Sequence, residues 1–451
     1  MLQRLLFCLA FSSVAIAAET QAVKVSDNHR YLVTSGGKPF FYFGDTAWEL
    51  FHRLNREEAD AYLADRAAKK FNVIQAVVLA EFDGLTAPNA YGHLALKDND
   101  PKQPVEEYFQ HVDYIVNKAQ SLGLYVGMLP SWGDKVNKKW GIGPEIFTPE
   151  NGRAFGEFLG KRYKDKAIIW IVGGDRPVDK PEHAAVWRAI AEGLKSGDGG
   201  AHLFTFHCMG EHSSSEWFHA DAWLGFNMLQ SGHGRKDSMT AAMITKDYAR
   251  TPPKPCLDGE ANYEDHPINW KPQNGWFDEY DVRKTAYWSV FAGACGYTYG
   301  CHDIWQFWTK ERKPVSSART DWHEAIKLPA SGQIQFVRKL VESRPYLTRI
   351  PDQSLIVGDA GAGTDHVQSA RGEDGSYAFV YFPSGKPAKI NTSKLSGEKL
   401  TAYWFDPRLG TSKPLDAAPK SAEAEFTPPS SGRGNDWVLV IDDAAKNYPA
   451  P

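Results

Sequence analysis

Residues 168–176 read IIWIVGGDR, an apolar run that ends in two glycines and an acid. Near-continuous apolar runs of this kind are typical of parallel strands covered on both faces. Apolar residues at three-to-four spacing follow over Pro181 to Lys195 and indicate an amphipathic helix. The stretch therefore predicts one strand and one helix of an α/β protein, with a polar strand tip between them.

The same alternation extends outward in both directions until eight strands are counted. The other predicted strands are Phe40 to Gly44, Asn72 to Ala80, Leu124 to Leu129, His202 to Phe206, Trp223 to Met228, Pro255 to Asp258 and Gly296 to Tyr299. The other predicted helices are Arg56 to Lys70, Val105 to Leu122, Asn151 to Tyr163, Asp237 to Ala249, Glu279 to Gly293 and Gln333 to Glu342, with a short turn at Ser214 to Phe218. This pattern predicts a (β/α)8 TIM barrel. A doubly wound sheet is disfavoured because no phosphate-binding first loop is present.

The pattern of apolar and polar residues changes near Arg349. Short alternating runs separated by Gly, Pro and Asp turns follow, at Ser354 to Val357, Tyr377 to Tyr381, Leu400 to Phe405 and Trp437 to Ile441. They predict a small antiparallel β-sandwich. We assign residues 19–348 to the barrel domain, which opens with a hairpin over Val23 to Gly37, and residues 349–451 to the sandwich, which we expect to pack tightly on the barrel.

The first 18 residues have the features of a secretory signal peptide. Arg4 precedes an apolar run from Leu5 to Ile16 and a small-residue cleavage site. The run is shorter than the roughly 20 residues that a membrane span needs, and no later segment is long or apolar enough. We expect an exported protein, periplasmic or extracellular, without a membrane span.

The amino-acid composition disfavours several classes of function, nucleic-acid binding among them. The net charge is −4, from 51 basic and 55 acidic residues spread along the chain, so there is no basic stripe for nucleic acid. Four cysteines remain beyond the signal peptide and lack zinc-site spacing, so we rank buried free thiols or one disulfide above a metal role. No nucleotide or metalloprotease motif appears. We therefore expect no cofactor and no metal, whereas 15 Trp and 19 Tyr suit a carbohydrate partner.

Two acids mark the predicted catalytic centre. Asp175 follows the fourth strand and Glu260 the seventh, each directly after glycine, and barrel enzymes react at these strand ends. Glycoside hydrolysis needs one protonated and one ionised carboxyl, about 5 to 6 Å apart where configuration is retained. At an effective dielectric of about 20, their repulsion is roughly 3 kcal/mol, or about two pKa units. We predict Asp175 as general acid/base and Glu260 as nucleophile, with Asp258 one layer deeper as a support residue.

Other polar and aromatic residues follow the predicted strand ends. Amides, carboxylates, His and Trp without an apolar slot are what a polyhydroxylated substrate requires. The predicted substrate-binding residues are Asp45, Trp48, Glu81, Asp83, Trp132, Arg176, His207, Asn227, Gln230, Tyr263, His302 and Trp305.

Five strings resemble one family. They are Phe43-Gly44-Asp45-Thr46-Ala47-Trp48, Gly173-Gly174-Asp175-Arg176, Gly259-Glu260-x-x-Tyr263-Glu264, Trp404-Phe405-Asp406-Pro407-Arg408-x-Gly410 and Asp436-Trp437-Val438-Leu439. They resemble the apiosidase-like enzymes of glycoside hydrolase family 140. The resemblance implies a catalytic barrel with a C-terminal sandwich of the collagen-binding-like type. It also implies an acid/base at Asp175 and a catalytic Glu at Glu260. The resemblance further implies action on apiose in a pectic side chain.

Two other functions are weighed against a glycosidase. A non-catalytic carbohydrate-binding protein on a barrel scaffold has no need for both Asp175 and Glu260. A matrix adhesin is suggested only by the historical label of the sandwich domain, and no residue of the tail supports it.

Overall fold

The computed structural model describes residues 21–237, 239–416 and 418–451. The predicted signal peptide lies outside these residues. Within them, no helix combines the length and the apolar character that crossing a membrane requires. Cys208, Cys256, Cys295 and Cys301 are buried free thiols, the first of the two alternatives predicted.

The described residues form strands and helices close to the predicted positions. The strands up to residue 299 are β1 (Val23–Val25), β2 (Leu32–Thr34), β3 (Tyr42–Thr46), β4 (Val73–Leu79), β5 (Tyr125–Ser131), β6 (Ile168–Gly173), β7 (Phe204–His207), β8 (His212–Ser213), β9 (Asn227–Gln230), β10 (Cys256–Asp258) and β11 (Gly296–Tyr299). The α-helices are α1 (Leu50–Arg53), α2 (Arg56–Ala68), α3 (Glu106–Ser121), α4 (Pro149–Tyr163), α5 (Pro181–Asp198), α6 (Ser215–Phe218), α7 (Met239–Tyr248), α8 (Glu279–Phe291), α9 (His302–Trp305), α10 (Trp322–Ala325), α11 (Pro329–Gln333) and α12 (Gln335–Glu342).

Eight parallel strands of the described chain close into a barrel. Strands β11, β3, β4, β5, β6 and β7 form one hydrogen-bonded series, and β9 and β10 form another. The Gly225 N–H donates to Phe204 O, and the Cys295 N–H donates to Cys256 O, which joins the two series at both edges. Every residue of β3, β4, β5 and β6 is buried, as strands covered on both faces must be. The predicted (β/α)8 fold is confirmed.

Two small elements modify the barrel. Strands β1 and β2 pair antiparallel as the predicted N-terminal hairpin. Strand β8 pairs antiparallel with β9, so the link between β7 and β9 holds a short strand and the single turn of α6 in place of a full helix.

The C-terminal part is the predicted antiparallel sandwich. Its strands are β12 (Arg349–Pro351), β13 (Ile356–Val357), β14 (Gln368–Gly372), β15 (Tyr377–Phe382), β16 (Ala388–Ile390), β17 (Leu400–Asp406), β18 (Thr411–Pro414), β19 (Ala424–Phe426) and β20 (Trp437–Asp443). A six-stranded sheet in the order β12-β14-β15-β20-β17-β18 faces a three-stranded sheet in the order β13-β16-β19. Apolar side chains of both sheets form one core between them.

Strand β15 shows how the sandwich meets the barrel. Its even-numbered residues, such as Val380, point into the sandwich core, and its odd-numbered residues face helix α8. Tyr381 stacks on Tyr287 with ring centroids 5.0 Å apart, and Phe379 stacks on Phe291 at 5.6 Å. Both faces of the sheet are therefore apolar and covered: its outer face extends the core of the barrel, and its inner face forms the separate core of the sandwich.

Candidate active site

A cavity of about 690 Å³ lies at the carboxyl ends of the barrel strands. Each of the eight strands ends in, or is followed by, a residue that lines the cavity or contacts a lining carboxylate. In chain order these are Trp48, Glu81, Trp132, Asp175, His207, Gln230, Glu260 and Trp305. The site predicted from the strand tips is therefore assembled in one place, as the barrel topology requires.

Glu260 follows β10 and is held by donors on one of its two oxygens. Its Oε1 accepts from Gln230 Nε2 at 3.0 Å and from His233 Nε2 at 2.9 Å. Its Oε2 has no hydrogen-bond partner among the described residues, although His207 Nε2 lies 3.1 Å away. One oxygen is thus held by two donors, whereas the other has only the imidazole of His207 beside it.

His207 connects the two catalytic candidates. The Asp175 N–H donates to His207 Nδ1 at 3.2 Å, so this nitrogen is an acceptor. A neutral His207 then carries its proton on Nε2, which faces Glu260 Oε2. The backbone of Asp175 in this way fixes which nitrogen of His207 faces Glu260.

Asp175 is placed by Arg176 and Trp140. Arg176 donates to Asp175 Oδ2 at 3.1 Å and to Glu81 Oε1 at 2.7 Å. Trp140 Nε1 donates to the same Asp175 oxygen at 3.4 Å. The Asp175 side chain remains 24% exposed to the cavity, so a ligand can reach it.

The tip of β6 explains why glycines precede Asp175. Gly173 has φ +92° and Gly174 has φ +151°, and a Cβ on Gly173 would overlap His207 O. Only glycine combines this backbone conformation with so close an approach. Asp175 itself has φ +41°, a strained conformation for a residue with a side chain, which aims its carboxyl into the cavity.

The two carboxyls have opposite protonation tendencies. Burial, followed by the negative charge of Glu260, raises the pKa of Asp175 to about 7. Burial alone would raise the pKa of Glu260 as well, but the neighbouring imidazoles of His207 and His233 favour the ionised carboxylate and lower its pKa to about 2. Near neutral pH one carboxyl can therefore donate a proton while the other is ionised.

Asp258 lies beneath this pair as a support residue. Its Oδ1 accepts from the N–H groups of Ser231 and Glu260, each at 3.3 Å, and its Oδ2 accepts from Thr240 at 2.8 Å. Asp258 therefore fixes the backbone from which Glu260 projects.

Half of the predicted substrate-binding residues line the cavity. Trp48, Glu81, Trp132, Gln230, Tyr263 and Trp305 line it. Arg176 and His207 are buried behind it and contact its carboxylates.

Asp45 does not reach the cavity. It is fully buried, accepts from Tyr62 at 2.6 Å and pairs with Arg66. Both partners lie on helix α2, so strand alternation turns the Asp45 side chain outward, between barrel and helix. Its predicted contact with substrate is replaced by a structural ion pair.

Three more predicted residues lie elsewhere. Strand β9 begins four residues later than predicted, so Asn227 is its first residue and lies far from the carboxyl end of the strand. There Asn227 contacts His219. His302 is buried, and its Nε2 bonds to Val315 O and Ser316 O at 3.1 Å, so it positions a lining loop. Asp83 is exposed and lines a neighbouring cavity of about 730 Å³.

Several lining residues were not predicted. His233 lies three residues beyond Gln230, within reach of the same strand-tip argument. Trp140 and Trp270 come from long loops and are 60% and 52% exposed, yet both line the cavity. Loops of this kind have no hydrophobic periodicity, so the amino-acid pattern does not place their aromatic rings at the site.

Two family models match the chain. The model of the apiosidase-like catalytic domain matches residues 26–348. The model of a collagen-binding domain of a collagenase matches residues 350–442. No curated protein gives a match.

Solved structures resemble the whole chain. A glycoside hydrolase family 5 protein from Bacteroides vulgatus is 34% identical over 96% of each chain, with a TM-score of 0.89. A structure named glycoside hydrolase is 34% identical over 96% of this chain and 99% of its own, with a TM-score of 0.88. A third, also from Bacteroides vulgatus, shares 14% identity over 94% of this chain and 82% of its own, with a TM-score of 0.68, and shows the fold alone.

Proposed function

Because the chain belongs to the apiosidase-like glycoside hydrolase family, we propose that it is a retaining enzyme that removes sugars from side chains of polysaccharides or oligosaccharides. Pectic material is the first substrate class to test, because the family is named for apiosidases. The N-terminal sequence supports action outside the cytoplasm.

The opposed environments of the two carboxyls carry this proposal. Asp175 is held near neutral pKa by burial and by the charge of Glu260, whereas the donors around Glu260 keep it ionised. A binding protein gains nothing from this division, but double displacement requires it.

In the first step, Glu260 Oε2 attacks the anomeric carbon. The bond to the leaving oxygen breaks, and that oxygen takes the proton of Asp175. Gln230 and His233 hold Oε1 throughout, which fixes the direction of attack. A glycosyl ester on Glu260 results.

In the second step, Asp175 is ionised and accepts a proton from water. The water oxygen bonds to the anomeric carbon, and the bond to Glu260 breaks. The sugar is released with its original configuration, and both carboxyls return to their starting states.

The first prediction separates the roles of the carboxyls. Asp175→Ala should retain much of the first step on an activated aryl glycoside, because that leaving group needs little proton assistance. Its second step should be slow, and azide should restore turnover and yield an azide of retained configuration. Glu260→Ala should be inactive, and azide should give the inverted product there. Product configuration is read by NMR.

The control is the wild-type enzyme on the same glycoside. Inverted wild-type product, or near wild-type hydrolysis by Glu260→Ala, would contradict the retaining assignment.

A further inference from the structure

Two large apolar side chains are exposed at the rim of the active-site cavity. Trp140 is 60% exposed and Ile142 is 55% exposed, and both line the cavity. Ile142 also lines the neighbouring cavity of about 730 Å³. A single exposed apolar side chain needs no explanation, but two within three residues at one cavity indicate a surface that a ligand covers.

The segment that carries these side chains is fastened to a buried ion pair. The Gly143 N–H donates to Asp134 Oδ2 at 2.8 Å, and Asp134 Oδ1 accepts from Lys135 Nζ at 2.8 Å. The Ile146 N–H donates to Lys135 O at 2.9 Å. Asp134 and Lys135 are both fully buried. The segment is therefore held in place before a ligand binds.

One face of the Trp140 ring is covered from behind. The guanidinium of Arg176 lies over the ring, with Cζ 4.8 Å from the ring centroid, and Arg176 is itself buried. Because the Trp140 side chain is nevertheless 60% exposed, the opposite face of the ring is open. An aromatic ring held on one face and open on the other suits the flat face of a second ring, such as the apolar face of a sugar.

The hydrogen bond between Trp140 and Asp175 shows which part of a substrate meets the open face. Trp140 Nε1 donates to Asp175 Oδ2 at 3.4 Å. In the proposed mechanism Asp175 gives its proton to the leaving oxygen, so the Trp140 ring lies beside the group attached to that oxygen. Trp270, in contrast, lies beside His233, with ring centroids 6.0 Å apart, and His233 holds Glu260. Trp140 is therefore on the acid's side of the cleaved bond, and Trp270 is on the nucleophile's side.

We propose, on the basis of the retaining function above, that Trp140 and Ile142 form a platform for the leaving group and select substrates in which that group is a ring. A ring attached to the leaving oxygen stacks on the open face of Trp140 and extends past Ile142 toward the neighbouring cavity. The contact is made while the bond to the leaving oxygen breaks, so it favours the first step of the reaction and not the second. A leaving group without a ring gains nothing from the platform.

The second prediction compares two substrates that share a sugar and differ in the leaving group. The first is the p-nitrophenyl glycoside, from a panel of pentosides and hexosides, that the wild-type enzyme cleaves fastest, and the second is the glycosyl fluoride of the same sugar. Both leaving groups need little proton assistance, but only p-nitrophenol has a ring. Trp140→Ala should lower kcat/KM for the aryl glycoside on the order of 10-fold more than for the fluoride. Because Trp140 is exposed, its replacement should leave Tm unchanged.

Two further variants separate the ring from its hydrogen bond. Trp140→Phe keeps an aromatic face but has no N–H for Asp175, and we expect its ratio of kcat/KM for the two substrates to stay within about 3-fold of the wild-type ratio. Trp270→Ala is the matched control, since it removes an exposed tryptophan from the nucleophile's side of the same cavity. It should affect both substrates by the same factor, because they carry the same sugar.

The outcomes distinguish the platform from the retaining function. If hydrolysis depends on Glu260 but Trp140→Ala loses equally on both substrates, the platform alone is overturned. A ratio for Trp140→Phe as low as that for Trp140→Ala also overturns it, because the hydrogen bond and not the ring then explains the effect. If Glu260→Ala cleaves the aryl glycoside as the wild-type enzyme does, the retaining function fails, and the platform fails with it.

Discussion

At the scale of single residues, the burial of Asp175 and the charges around it raise its pKa and so set the expected working pH. In the proposed mechanism Asp175 is protonated when it assists the leaving group, so we expect activity below its pKa and a loss of activity as pH rises through about 7. The pKa of Glu260, at about 2, lies far below this range, so its ionisation does not limit activity near neutrality. We therefore expect the alkaline limb of kcat/KM to report on the ionisation of Asp175.

The third prediction concerns Glu81, which adds to this effect. Its negative charge raises the pKa of Asp175, and it shares the guanidinium of Arg176. Glu81→Gln removes the charge and leaves Arg176 to interact mainly with Asp175. Both changes lower the pKa of Asp175, so the alkaline limb should move to lower pH. The measurement is the pH profile of kcat/KM, with the exposed Glu182→Gln as control, and an unmoved or higher limb would contradict the assignment.

At the scale of secondary structure, the end of β6 presents the side chain that we propose as the general acid. Gly173 approaches His207 O so closely that a Cβ has no room. The same peptide segment gives the Asp175 N–H that orients His207. Geometry at this strand end therefore controls both catalytic candidates together.

The fourth prediction compares two glycines with positive φ. Gly199 has φ +71° and open space within 4 Å of the point that a Cβ would occupy, whereas Gly173 has φ +92° and meets His207 O. Gly199→Ala should lower the free energy of unfolding by about 1 kcal/mol and leave activity unchanged. Gly173→Ala should lower it by several kcal/mol more and reduce kcat/KM strongly. Denaturant unfolding and kinetics measure both, and equal behaviour of the two variants would refute the close-approach argument.

At the scale of the whole molecule, the sandwich covers one side of the barrel. Besides the stacked rings of α8, ion pairs join the parts, and among the described residues two of them are buried on both sides: Arg283 with Asp436 at 2.7 Å, and Arg344 with Asp442 at 2.7 Å. All four residues are buried, and a buried charge left without its partner is strongly destabilising. The sandwich therefore completes the core of the barrel.

The fifth prediction is that a chain ending at Arg349 is insoluble or has a markedly lower Tm. Removal of the sandwich exposes Tyr287 and Phe291 and leaves Arg283 without its carboxylate. The measurement is the soluble yield and Tm against the full chain. Asp436→Asn, which removes the charge but keeps the whole sandwich, should lower Tm by less than the truncation does. A stable truncated barrel that has lost only polymer binding would show that the sandwich is a binding module.

The order and type of the elements, and the residues at the strand tips, follow from the amino-acid pattern alone. Apolar runs such as residues 168–172 must be covered on both faces, and the carboxyl ends of parallel strands must meet at one end of a barrel. For this reason Asp175 and Glu260 could be assigned to a common site from their positions in the chain.

Which neighbouring polar groups reach that site depends on tertiary packing. Asp45 and Asn227 fit the same strand-tip pattern but do not reach the site. Side-chain alternation directs Asp45 outward to its ion pair with Arg66. Asn227 lies at the start of its strand, which begins four residues later than predicted. Trp140 and Trp270 arrive from loops whose course no periodicity encodes. Which oxygen of Glu260 is held by two donors depends on groups from a different strand end and its loop, and only packing brings such groups to about 3 Å from the carboxylate.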